Sequence, residues 1–253
     1  MLNYKVFGEG EKYLVILHGL FGSLDNWQTL AQRFSAHFTV VIADQRNHGK
    51  SPHFEAHNYS LMAKDTVELM DHLRIEKAQF IGHSMGGKTV MQLAVEYPYL
   101  IDRLVVVDIS PRYYPPHHQE ILEALNSVNF EEVSSRKEVE DIIAERIDSP
   151  MVLQFLLKGL TYSSKKKLRW KFNLRTLEKD IEHIGEALSE HAYFTNPTLF
   201  IKGEHSDYIQ ENDEQLIEQI FPQSDIVEIP SSGHWLHAEQ PELFFEEVLR
   251  FLN

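Results

Sequence analysis

Ten residues, Ala78 to Gly87, constrain this chain most tightly; they read A-Q-F-I-G-H-S-M-G-G. A short apolar run ends at Gly82, and Ser84 then stands between glycines two places before and two places after it, the pattern G-x-S-x-G. The physics of that pattern is a strand that turns abruptly into a helix. The serine is forced into a strained backbone conformation, and side chains at the glycine positions would collide across the turn. Such a turn holds Ser84 Oγ out at the carboxyl edge of a sheet, at the N-terminus of the following helix. The flanks agree with it: Phe80 and Ile81 precede the motif, and Lys88 to Tyr97 reads as a helix stopped by Pro98.

Around this turn the chain alternates strands and helices. Tyr4 to Phe7 and Tyr13 to Leu17 are β-rich runs joined by Gly8-Glu9-Gly10-Glu11, a hairpin-type connection. Asp25 to Phe34 reads as a helix and Thr39 to Ala43 as a buried strand. A helix with Ser60 as its N-cap then places Met62, Leu69, Met70 and Leu73 on one face. Leu104 to Val107 is a further strand, ending at Asp108. Strands that are apolar throughout, separated by helices, indicate a parallel sheet covered on both faces.

From Arg112 to His191 the alternation stops, and no strand signal appears. Helices are expected at Gln119 to Leu125, after the capping box Ser135-Arg136-Lys137-Glu138, after Ser149-Pro150, and at Thr176 to Leu188. The aromatic content (Tyr113, Tyr114, Phe155, Tyr162, Trp170, Phe172) is too high for a linker, so the region reads as a helical cap over the sheet edge. Phe155 and Trp170 are its candidates for setting chain-length preference. The alternation resumes with a strand at Thr198 to Lys202, a helix at Glu211 to Ile220, a last strand at Ile226 to Ile229, the loop Pro230 to His237 and a helix at Pro241 to Leu252. The expected organisation is one domain, 1-253, with a core of 1-111 and 192-253 and a cap of about 112-191.

A serine hydroxyl needs a base within hydrogen-bond reach, oriented by a third group. His234, in Ser231-Ser232-Gly233-His234-Trp235, follows the last strand and reaches the same sheet edge as Ser84. His83 adjoins the serine, points elsewhere, and reads as structural. For the acid, the usual Gly-x-x-Asp turn is here Gly203-Glu204-His205-Ser206, with Asp207 one place late. Asp108, at the end of the preceding strand, is the favoured acid and Asp207 the alternative; Ser206 would then support the carboxylate or the imidazole. The tetrahedral oxyanion needs donors, and the amide of Met85 at the helix start is one. The second comes from the loop His18-Gly19-Leu20-Phe21-Gly22, first Leu20 and then Phe21. Arg46 reads as a loop brace.

Composition removes other classes. A net charge of −14, with no basic run beyond Lys165-Lys166-Lys167, opposes nucleic acid and anionic lipid. The absence of cysteine excludes thiol chemistry and fits a reducing compartment, so a cytoplasmic location is expected, with no membrane span and no leader. No metal pattern accompanies His234 and His237, and Gly82 to Gly87 carries neither a Walker loop nor a dinucleotide fingerprint, so no cofactor is expected.

Asp44-Gln45-Arg46-Asn47-His48-Gly49-Lys50-Ser51, Gly82-His83-Ser84-Met85-Gly86-Gly87-Lys88 and Gly233-His234-Trp235 with His237-Ala238-Glu239 resemble the YbfF-type esterases of the α/β-hydrolase superfamily and their eukaryotic abhydrolase domain-containing relatives. The resemblance implies the α/β-hydrolase fold, a mostly parallel sheet flanked by helices with a helical cap. It implies Ser84 as nucleophile, Asp108 as acid, His234 as base, Ser206 as an added partner, and Leu20 and Met85 as oxyanion donors. The implied reaction is hydrolysis of carboxylic esters, or of acyl thioesters such as acyl-CoA. The same residues would also serve carbon–carbon bond hydrolysis, a lyase of menaquinone synthesis or perhydrolysis; a binding protein on this fold is the non-enzyme alternative. A homodimer is compatible with the sequence.

Overall fold

The computed structural model describes residues 1–253. In chain order the elements are β1 (Tyr4–Phe7), β2 (Tyr13–Leu17), α1 (Gln28–Phe34), β3 (Thr39–Ala43), α2 (Tyr59–Leu73), β4 (Ala78–His83), α3 (Met85–Glu96) and β5 (Ile101–Val107). Then come α4 (Gln119–Asn126), α5 (Arg136–Ala144), α6 (Pro150–Lys158), β6 (Leu160–Tyr162), β7 (Leu168–Trp170), α7 (Leu174–Lys179) and α8 (Ile181–Ile184). The chain closes with β8 (Thr198–Gly203), α9 (Glu214–Ile220), β9 (Ser224–Ile229), α10 (Leu236–Glu239) and α11 (Pro241–Leu252).

Seven strands form one sheet in the order β1-β3-β2-β4-β5-β8-β9. Every pairing is parallel except that of β1 with β3. The period-two alternation of side chains explains its two-sided burial. Val15, Leu17, Val41, Phe80, Leu104 and Val106 pack against α2, α3 and α9, while Leu14, Ile16, Val40, Ile81, Val105 and Val107 pack against α1 and α11. β4 and the serine turn that ends it therefore lie mid-sheet, where neither face meets water.

A third apolar cluster unites α4 to α7 and β6-β7 with Leu20, Phe21, Tyr59, Met62 and Met85 of the sheet's carboxyl edge. The segment between β5 and β8 thus lies on the loops at that edge of the sheet. Its two connections to the sheet are bonded to each other, the Tyr114 amide donating to Gly185 O at 2.8 Å and the Leu188 amide to Pro111 O at 2.9 Å. Lys88 of α3, wholly buried, donates from Nζ to the carbonyls of both connections, Arg112 O and, at 2.8 Å, Glu186 O.

Several expectations are corrected. β1 and β2 do not form a hairpin: β1 crosses to the far side of β3 and runs antiparallel to it at the sheet edge. The N-cap of α2 is Asn58, whose side chain accepts from the Leu61 amide, while Ser60 donates to Glu96. The first turn expected at Asp25 is a 3-10 turn, Leu24–Trp27, ahead of α1. The region 112-191 contains the antiparallel pair β6-β7, and the helix expected over Thr176 to Leu188 breaks into α7 and α8 and ends at Ile184. In the expected capping box Ser135 does accept from the Glu138 amide, but the Glu138 carboxylate turns to the amide of Ser134.

Candidate active site

Ser84 adopts φ 53° and ψ −115°, a left-handed conformation that serine tolerates only under constraint. The constraint is the crossing of β4 with α3. A Cβ on Gly82 would come within 2.3 Å of Gly86 O, and one on Gly86 within 2.4 Å of Leu17 O. The Ser84 amide is held by Val107 O at 2.9 Å. The serine opens α3, so the amide of Met85 stands at the helix N-terminus beside it.

His234 reaches the same place from the loop after β9. Glu239 ties that loop down, one carboxylate oxygen accepting from the Gly233 amide at 2.9 Å and the other from the Trp235 amide at 3.1 Å. The Ser232 hydroxyl donates to Ile229 O. His234 Nδ1 donates to Asp108 Oδ2 at 2.7 Å. Asp108 is fully buried at the end of β5 with φ 52°, and its carboxylate also accepts from the Ser206 hydroxyl and the Gly203 amide. Asp207 is exposed and stays outside this cluster. With Nδ1 committed to the carboxylate, Nε2 of His234 is left as the acceptor.

Ser84 and His234 line one cavity together with Gly19, Leu20, Phe21 and Trp235. A second, adjoining cavity is lined by Ser84, Leu20 and Met85 with Tyr59, Tyr114 and Ile184. In the 18–22 loop the Phe21 amide, at φ 60°, is already spent on His48 Nε2 at 3.2 Å, which leaves the Leu20 amide as the free donor. Burial pushes His48 well below its ordinary pKa, so the ring is neutral; its Nδ1 donates to Arg46 O at 2.9 Å and Nε2 accepts. His18 works the same way, neutral by burial, donating to Gly19 O and accepting from the Gln45 amide at 3.0 Å. Arg46 is a brace as expected, paired bidentately with Asp65 at 2.6 and 2.9 Å. His83, kept neutral by burial, donates from Nε2 to His234 O at 2.8 Å and so supports the loop from beneath.

Tyr208 is a neighbour that sequence reasoning missed. Its ring stacks on the His234 imidazole, with centroids 4.0 Å apart and planes at 20°, and its hydroxyl donates to His117 Nε2 at 2.7 Å. Burial first, and the Asp108 charge second, push its phenol up to about 12, so it stays protonated. The only signal in the sequence was its place two residues after Ser206. Of the two aromatics singled out between β5 and β8, Phe155 lines the cavity of His234, whereas Trp170 is buried in the third apolar cluster, stacked on Phe172. No group of three or more His, Asp or Glu side chains is arranged so that it could hold a metal ion. A strained serine and an imidazole oriented by a buried carboxylate line one cavity, and Leu20 and Met85 stand beside the serine on the adjoining one; these are parts from which acyl transfer can be built.

The α/β hydrolase fold family model matches residues 12–136. Esterase YbfF of Escherichia coli is 38% identical over 95% of this chain and 92% of its own length. An sn-1-specific diacylglycerol lipase of Danio rerio, ABHD11, is 37% identical over 100% of this chain and 82% of its own. The solved structure of a marine microorganism esterase superposes with a TM-score of 0.96 at 40% identity, covering 99% of this chain and 98% of that one.

Proposed function

This chain belongs to the α/β-hydrolase family and is an ester hydrolase, and from that premise we propose that it works through an acyl-enzyme on Ser84 with His234 as base and Asp108 as acid. Ser84 Oγ attacks the ester carbonyl carbon while His234 Nε2 takes its proton. The oxyanion so formed accepts from the amides of Leu20 and Met85, each donor contributing on the order of 10²-fold or more in rate. The C–O bond to the alcohol breaks as His234 returns the proton to the leaving oxygen. Water then attacks the acyl-serine, giving its proton to His234, and collapse releases the acid and restores the serine hydroxyl. Asp108 holds the imidazole in the tautomer this requires and stabilises the imidazolium; Ser206 and the Gly203 amide keep the carboxylate aimed at the ring. Acyl thioesters such as acyl-CoA follow the same route with a thiol as leaving group.

The observation that carries this reading is the 2.7 Å bond from His234 Nδ1 to a buried Asp108, with His234 and Ser84 on the wall of one cavity. In the same reading 112-191 acts as the cap of a single domain whose core is 1-111 and 192-253. No helix is long and apolar enough to cross a membrane, and a chain without cysteine suits the cytoplasm.

The test is active-site labelling. A fluorophosphonate should modify Ser84, and p-nitrophenyl butyrate should give an acylation burst. Ser84→Ala should lose both, with kcat down by about 10⁴-fold or more. Labelling elsewhere, or turnover that survives in Ser84→Ala, overturns the proposal.

A further inference from the structure

The two cavities that meet at Ser84 also share Leu20, His117, His118 and Tyr208, and differ in size and in the rest of their walls. The cavity that includes His234 has a volume of about 100 Å³ and is closed by Phe21, Ile121, Val152, Phe155 and Trp235. The other has about 20 Å³, little more than a water needs, and is closed by Tyr59, Ile109, Tyr114, Ile184 and Gly185. His234 borders the first and not the second.

We infer that these cavities divide the substrate, the alcohol lying in the larger one and the acyl group in the smaller, so that the preferred esters join a short acid to a bulky apolar alcohol. The inference rests on Ser84 as nucleophile and His234 as base. The imidazole that removed the serine proton must hand it to the leaving oxygen, so the leaving group lies on the imidazole side. The tetrahedral centre has four substituents. One is Ser84 Oγ, one is the oxyanion directed at the Leu20 and Met85 amides, and one is the leaving oxygen at His234. The acyl carbon takes the remaining direction, into the cavity beyond Met85.

That smaller cavity is also the stiffer. Its wall is the pair of connections beneath the cap, where Tyr114 and Gly185 are hydrogen-bonded main chain to main chain. The Tyr59 hydroxyl holds Ile184 O at 2.6 Å, Lys88 holds Glu186 O, and a Cβ on Gly185 would lie 1.8 Å from Tyr114 O. Lengthening an acyl chain would break buried hydrogen bonds. The larger cavity is walled by apolar side chains of α4 and α6, with Phe155 against Trp235 at 5.3 Å between centroids, and these repack without breaking any polar contact.

The experiment measures kcat/KM for two ester series with the full chain. One keeps the alcohol and lengthens the acid: p-nitrophenyl acetate, butyrate, octanoate and palmitate. The other keeps the acid and enlarges the alcohol: ethyl, butyl, benzyl and naphthylmethyl acetate. We expect a fall of about tenfold or more from butyrate to octanoate, and a rise of about tenfold from ethyl to benzyl acetate, the range that one methylene too many or a filled apolar pocket commands. Ile184→Ala should raise the octanoate-to-acetate ratio about tenfold with the alcohol ranking kept. Phe155→Ala should flatten the alcohol ranking with the acyl ranking kept; both side chains are only half-buried, so the variants fold. Octanoate preferred over butyrate in the parent chain, or both variants shifting the same series, overturns the inference. An absence of ester hydrolysis with Ser84 unlabelled is a different result, which overturns the reading beneath it as well.

Discussion

Asp108 shows how its neighbours fit a single residue to the role proposed for it. Its left-handed backbone turns the carboxylate back beneath the His234 ring, where an amide, a hydroxyl and the imidazole all donate to it. Asp108→Asn presents an amide nitrogen where the ring needs an acceptor, and so favours the wrong imidazole tautomer. We expect kcat to fall by about 10⁴-fold with KM little changed, and Asp207→Asn to stay within about twofold of the parent; steady-state kinetics on an ester substrate compare the two directly. Ser84 and His234 were readable because glycines and small residues in their own neighbourhood constrain the backbone. Asp108 was readable only as a strand-end residue in the right chain order. Tyr208 and Lys88 were not, since a stack on a ring 26 positions later (234 − 208) and a bond to two distant carbonyls leave no local trace.

At the scale of the element, the strands were legible wherever both faces are buried, as in β2 to β5, because their continuous apolar runs permit little else. β1 was misplaced for the complementary reason. A short Gly-rich link suggests a hairpin, but β2 is apolar on both faces and takes parallel partners on both sides, while β1, exposed at its centre, belongs at an edge. The pair β6-β7 has three residues a strand and hides beside a lysine run whose Lys166 sits at φ 60°. The helix expected at 176-188 fails where Asp180 leaves the helix and caps the His57 amide at 2.8 Å. Lys88→Met strips the donor from two buried carbonyls, which should cost roughly 3 kcal/mol and lower the melting temperature by about 10 °C. Burial, and then the Arg112 charge, push the Lys88 ammonium down to about 7, yet both protonation states still donate twice. Because the unfolded lysine keeps its ordinary value of 10.5, this group's contribution to stability falls as pH falls toward 7, so the cost of the substitution should be larger at pH 8 than at pH 6.5, measured by thermal unfolding at each.

Over the whole molecule, the buried histidines tie stability to acidity. Burial pushes His57 and His237 down to about 3, with Arg46 next in effect on His57 and His234 next on His237; both side chains are inaccessible. His18, His48 and His83 are lowered by burial too. Folded, these rings remain neutral; unfolded, each takes up a proton near its ordinary value of 6.5. Their contribution is thus intact above pH 6.5 and drains away as pH falls from 6.5 toward 3. Urea unfolding should show the midpoint dropping steeply between pH 6.5 and 5, and His237→Gln should make that slope shallower while leaving the midpoint at pH 8 to report packing alone.

The joined ends of the segment between β5 and β8 have a meaning for descent. A stretch that departs and returns at bonded neighbours, Pro111 with Leu188 and Tyr114 with Gly185, adds little strain to its host when its interior grows, shrinks or changes. Descendants of this chain are free to rewrite that interior as an exchangeable cassette, acquiring new diets while the strand-end machinery beneath is inherited untouched.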